Sequence, residues 1–186
     1  MGTGQTMLVL GAFTMLSILS LNVNRMMFSS VLLGLEMEAT LNAISYGQNM
    51  LDEILAKSFD EKTADNLEKL YNPSEATVEA AFGTDGPAEA VSGIDSLFES
   101  RAKFDDVDDY HLYRRKVLDP RLGWFFIVDS VYYVREDVPN ERSAARTFYK
   151  VVTVSVWNSS LPKPEHAPDG TMPLVLRDIA VYRSYF

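Results

Sequence analysis

The chain has no cysteine. Disulfides, thiolate zinc sites, iron–sulfur clusters and cysteine nucleophiles are therefore excluded together. It has only two histidines, His111 and His166, too few for a histidine-rich metal centre or a proton relay. Basic residues are also scarce: 17 Lys and Arg stand against 26 Asp and Glu, a formal net charge of −9. Such a chain does not hold phosphate backbones by bulk charge, so nucleic acid is not expected as a partner. No proline occurs before Pro73, so nothing forces an early helix to break. Charge itself is nearly missing from residues 1–35, where Arg25 stands alone. No serine lies in a Gly-x-Ser-x-Gly context, and no catalytic chemistry is expected.

What fills the uncharged segment is apolar. Met7 to Leu21 reads MLVLGAFTMLSILSL, and Met26 to Leu35 reads MMFSSVLLGL. Leu and Met favour helix, with Gly11 and Gly34 the weak points. A secretory signal peptide would carry a basic residue before the run and a small-residue cleavage site after it. Neither is present. A core helix apolar all round for this length is unusual in a domain of this size. A membrane span fits best: Gly2 to Leu21 gives about 20 residues, roughly 30 Å as helix, with Arg25 able to snorkel to an interface.

Past Leu35 the helical pattern continues. Met37, Leu41, Ile44, Gln48, Leu51 and Leu55 recur at spacings of three and four, the stripe of an amphipathic helix. One helix from about residue 5 to 57 is expected. Residues 59–109 carry weaker signals. Leu67–Tyr71 suggests a short helical turn, Asn72-Pro73-Ser74 a turn, and Gly83–Pro87 and Val91–Gly93 loops. Tyr110–Val117, Trp124–Arg135, Phe148–Trp157 and Leu174–Tyr185 are rich in β-branched and aromatic residues and read as strands. No helix-length segment separates them, so the sheet should be antiparallel. The fold class is α+β: a long N-terminal helix, apolar in front and amphipathic behind, packed on a C-terminal antiparallel sheet. The division is 1–35, a transmembrane or filament-core helix, and 36–186, a globular domain. That domain comprises an amphipathic helix 36–58, a loop region 59–109 and the sheet 110–186.

The aspartates of FDDVDDYH, Asp105, Asp106, Asp108 and Asp109, are the one candidate metal site. Calcium is the ion such a carboxylate cluster would take, although the spacing is not that of an EF-hand. A solvated acidic turn accounts for the same residues, and no cofactor is otherwise expected. His111 and His166 read as surface or hydrogen-bonded histidines. Arg114-Arg115-Lys116 reads as a solvated strand end. The aromatics of 124–133 are core and interface material. Asn158-Ser159-Ser160 is a formal N-glycosylation sequon.

This layout resembles the type IV pilin superfamily, pilins and the pseudopilins of type II secretion. The uncharged apolar run, the switch to an amphipathic helix and the C-terminal sheet carry the resemblance. So do LNAISYGQNMLDEILAKSFDE, similar to a recurring minor-pilin pattern, and the acidic-Tyr turn FDDVDDYH. The chain departs from the family in showing no basic leader and in having Gln5 where glutamate is usual. It also has Asn22 near the usual helix-melting proline, and no C-terminal disulfide. The resemblance implies a structural subunit of an extracellular filament, with other copies of itself and the pilus assembly machinery as partners. It implies an inner-membrane location before assembly, N-terminus towards the cytoplasm, and a cell-surface filament after it. Met1, Gln5, Leu8, Phe13, Leu16, Leu19 and Arg25 are the assembly residues it suggests. A pseudopilin or minor pilin, or a single-span anchored binding domain, is the alternative.

Overall fold

A computed structural model describes residues 2–66, 68–162 and 172–183. One helix, α1, runs unbroken from Thr3 to Leu55. No proline interrupts it, and neither Gly11 nor Gly34 breaks it. By internal contacts the chain divides into Met1–Glu38 and Ala39–Phe186.

The second unit holds a four-stranded antiparallel sheet: β1 (Arg114–Asp119), β2 (Gly123–Tyr133), β3 (Tyr149–Trp157) and β4 (Leu174–Val181). The strands lie side by side in chain order. The β1–β2 turn closes on Gly123, whose φ of +77° suits a residue without a Cβ. Between helix and sheet the chain forms short 3₁₀ turns at Glu61–Asn66, Pro73–Glu75, Glu79–Ala81 and Asp108–Tyr110, and one helical turn, α2 (Ser100–Lys103). The first of these stands just ahead of the turn expected at Leu67–Tyr71, and Leu67 lies outside the described residues. The expected end of β4, Ser184–Tyr185, also lies outside them.

Side chains alternate across the sheet, so the pairing register defines its inner face. Arg115 lies opposite Ile127, and Val117 opposite Phe125. Asp129 faces Val154, Val131 faces Val152, and Tyr133 faces Lys150. Lys150 in turn faces Ala180, and Val154 faces Leu176. The inner face thus mixes a valine-rich centre with buried charged side chains, among them Arg115, Asp129 and Lys150.

The rear of α1 covers this face, but not with the stripe that its large apolar residues suggest. Met37 and Leu41 are exposed, as is Gln48, while Ile44 and Leu55 are only half-buried. The buried residues are Ala39, Ala43, Gly47, Met50, Leu51 and Ile54. The first three repeat every fourth position and form a ridge of small residues. Here the helix backbone comes so close to β3 and β4 that a Cβ at Gly47 would collide with Leu176 Cδ1 and touch Val156. The bulk at this contact is supplied by the strands, so the helix contributes space. Tyr46 packs edge-on against Phe125, ring centroids 5.1 Å apart. At the far end of β1, Asp119 accepts hydrogen bonds from Asn42 Nδ2 at 3.0 Å and the Tyr46 hydroxyl at 3.3 Å.

Candidate functional site

Two features stand out chemically: the bare front of α1 and the charges under its rear.

In the first unit every large apolar side chain from Met7 to Leu33 is at least half exposed. Met7, Leu8, Val9 and Leu10 are consecutive, and at about 100° per residue they cover the whole circumference. Phe13, Leu16 and Leu19 continue the same apolar surface. Gln5 and Arg25 are exposed helical residues, and Met1 lies outside the described residues. Four hydroxyls in this stretch turn inward: Thr6, Thr14, Ser17 and Ser29 donate to the carbonyls of Thr3, Gly11, Phe13 and Arg25 at 2.8–3.0 Å. Their polar atoms are satisfied within the helix and ask nothing of an apolar neighbour. The helix is long and apolar enough to cross a membrane.

In the second unit the charges form two nodes. At the first, Glu53 near the end of α1 receives the Arg115 guanidinium, Nη1 to Oε2 at 2.9 Å and Nη2 to Oε1 at 2.5 Å. Arg101 Nε donates at 2.9 Å and the Tyr110 hydroxyl at 3.0 Å. Burial pushes the Glu53 carboxyl up, but these bonds and the Arg115 charge outweigh it and hold it at about 2. Arg115 is therefore not part of a solvated basic patch: it is 3% exposed, and its Nε donates to the Tyr113 hydroxyl. Its neighbour Arg114 is the residue that points outward. Asp129 sits nearby with both oxygens buried and unpartnered. Burial raises its carboxyl well above the usual range, Arg115 opposes this, and the Glu53 charge adds to it.

At the second node Lys150 is fully buried. Its Nζ donates to Asp108 Oδ1 at 2.7 Å, Asp60 Oδ2 at 3.3 Å and the Phe59 carbonyl at 2.6 Å. The rings of Phe59, Phe82 and Tyr133 surround the ammonium, with centroids 4.5, 5.0 and 5.6 Å away. The acidic turn is consequently not solvated: Asp106, Asp108 and Asp109 are all buried. Asp109 accepts the Asp105 amide at 3.1 Å, and Asp106 Oδ1 accepts the Asp109 amide at 3.1 Å. The other Asp106 oxygen has no partner. Burial and the Asp108 charge push the Asp106 carboxyl up.

The four aspartates proposed for calcium are thus divided. Asp108 binds Lys150, and Asp109 binds backbone. Asp105 comes together with Glu61 and Glu89, and Asp106 with Glu61 and Asp85, carboxylate oxygens within 4.8 Å in each group. Burial and the Asp105, Asp85 and Glu89 charges raise Glu61 to about 7. Sequence reasoning passed over Glu61, Asp85 and Glu89, which stand apart from one another along the chain. Asp60 and Lys150 also escaped it. Lys150 was legible: period-two counting in KVVTVSVW puts it on the face of Val152, Val154 and Val156.

His111 is a hydrogen-bonded histidine, its Nδ1 accepting the Val131 amide at 3.3 Å. His166 lies outside the described residues. Asn158 of the sequon is buried, donating from Nδ2 to the carbonyls of Leu122 at 3.1 Å and Trp124 at 3.0 Å.

No family model, curated protein or solved structure matches the chain.

Proposed function

We propose that the chain is a structural subunit of an extracellular, pilin-like filament, with α1 as the element of assembly. One observation carries this reading: a helix apolar around its whole circumference, uncharged but for Arg25, continuous with the helix that docks on the sheet. An apolar surface of that extent needs a cover, and lipid and copies of the same helix are the two that suit it. Gly11, Ala12, Ser17 and Ser20 allow close approach between helices. Leu8, Phe13, Leu16 and Leu19 are the contacts expected between neighbours, and Gln5 can hydrogen-bond a neighbour's N-terminal amine without neutralising it. Before assembly the same helix rests in the inner membrane, from which the assembly machinery draws it. A pseudopilin or minor pilin uses the same physics at lower copy number. The span-length helix also favours a second reading, a membrane-anchored binding domain that stays monomeric.

Electron microscopy of the purified native protein separates these readings: uniform filaments support the first, and detergent-bound monomers the anchored domain. Filaments should resist high salt, because screening weakens exposed charges and leaves apolar burial intact. Leu16→Lys should abolish sedimentable filaments, since an unpaired charge in that contact costs several kcal/mol. Normal assembly of this variant would remove the helix from the filament core.

A further inference from the structure

We propose that Lys150 and Asp108 are joined by an intramolecular amide bond between Nζ and Cγ, formed by the folded protein itself. The amine lies 2.7 Å from an oxygen of the carboxyl it would attack. Both side chains are buried at the ends of elements far apart in sequence, one on β3 and the other in the turn before β1. Three aromatic rings wall the site, so water neither competes for the carboxyl nor readily returns to cleave the product. A buried ion pair is costly to desolvate, whereas an amide carries no net charge, so this enclosure favours condensation that bulk water opposes. Fixed proximity supplies the rest, as it does in other intramolecular reactions.

The neighbouring acids have separable roles. Asp60 accepts hydrogen bonds from the Thr77 amide at 2.8 Å, the Thr77 hydroxyl at 3.2 Å and the Lys62 amide at 3.4 Å. It lies 3.3 Å from Nζ and is placed to take a proton from the ammonium. Asp106, in the same turn as Asp108, has a buried carboxyl oxygen without a partner and is placed to give it a proton. The free amine then attacks Cγ. The nitrogen of the adduct loses a proton to Asp106, the proton on Asp60 passes to the departing hydroxyl, and the C–O bond breaks. Ammonium and carboxylate become amide and one water, Asp60 and Asp106 end as they began, and no oxidant, cofactor or nucleotide is consumed. Asp60 is not the carboxyl that condenses, because backbone and hydroxyl donors already hold its two oxygens.

The test is the intact mass of the full chain, purified in detergent, followed by proteolysis and fragment sequencing. The wild type should be lighter than its sequence by one water, about 18 Da. Its digest should contain a branched peptide joining the Asp108 and Lys150 segments, with no tryptic cut after Lys150. Lys150→Arg keeps the charge but should show the full mass. Asp106→Asn keeps the Lys150–Asp108 contact and should form the bond at least tenfold more slowly, while its tryptophan fluorescence stays native. An unmodified wild-type mass would overturn the proposal. So would a lost water that maps to a succinimide at Asp85-Gly86 or Asp169-Gly170, or an Asp106→Asn variant that cross-links at the wild-type rate.

Discussion

Glu53→Gln should cost this protein about 3 kcal/mol at neutral pH, and the loss should shrink as the solution is acidified. In the wild type the Glu53 side chain is 9% exposed and takes two bonds from an Arg115 side chain that is 3% exposed. The glutamine keeps the shape but removes the charge, leaving a buried guanidinium without its counterion, a change typically worth about 3–5 kcal/mol. The lower end applies, because Arg115 keeps its bonds to Tyr113 and Ser100 and its place over the Phe98 ring. The titration gives a similar magnitude: lowering the carboxyl from 4.5 to about 2 corresponds to roughly 3 kcal/mol. The sign follows from linkage. A carboxyl depressed in the folded state stabilises fully above pH 4.5, and that stability is lost as pH falls towards about 2. Urea unfolding at pH 7 and near pH 2.5, followed by Trp124 and Trp157 fluorescence, measures both effects. The difference between variant and wild type is the quantity to compare, because Asp129 titrates in the opposite sense. A variant within about 0.5 kcal/mol of wild type at pH 7, or a gap that does not narrow in acid, would refute the reasoning.

Asp129→Leu should stabilise the fold by about 1–3 kcal/mol at pH 7, because it removes a buried carboxyl with both oxygens unpartnered. Its carboxyl is raised in the folded state, so the penalty is present above pH 3.8 and fades below it. Denaturation at pH 7 and pH 3 should show the gain only at the higher value. Gly47→Leu should destabilise by about 1–3 kcal/mol through overpacking against Leu176 and Val156, read as a lower urea midpoint. Asn158 should remain unmodified in a glycosylating host, as judged by intact mass, because its amide is buried in two backbone hydrogen bonds. Asn158→Ala should cost about 1–2 kcal/mol for the Leu122 and Trp124 carbonyls it leaves unpaired.

The strands were readable because their signal is local. WFFIVDSVYYVR and FYKVVTVSVW alternate and are β-branched, and the observed strands begin and end within two residues of those runs. The unbroken helix was readable for the same reason: no residue before Pro73 forbids it. The helix face was misread because hydrophobicity alone ranks Met37 and Leu41 above Ala39 and Gly47. What decides the contact is how near the sheet comes, a property of Val156 and Leu176 far along the chain. The charged nodes were hidden differently. Asp60 and Lys150 are 90 residues apart, and an aspartate in an acidic run looks solvated until a buried lysine is placed beside it.

The small-residue ridge has a consequence for the order of synthesis. Ribosomes deliver Ala39, Ala43 and Gly47 roughly a hundred residues before the β3 and β4 side chains that cover them. A face of leucines would spend that interval exposed to every other nascent chain, and such surface drives aggregation. A face of alanine and glycine offers little for a wrong partner to grip. Its stickiness arrives late, with the valines and leucines of the strands, when the correct surface is already waiting beside them.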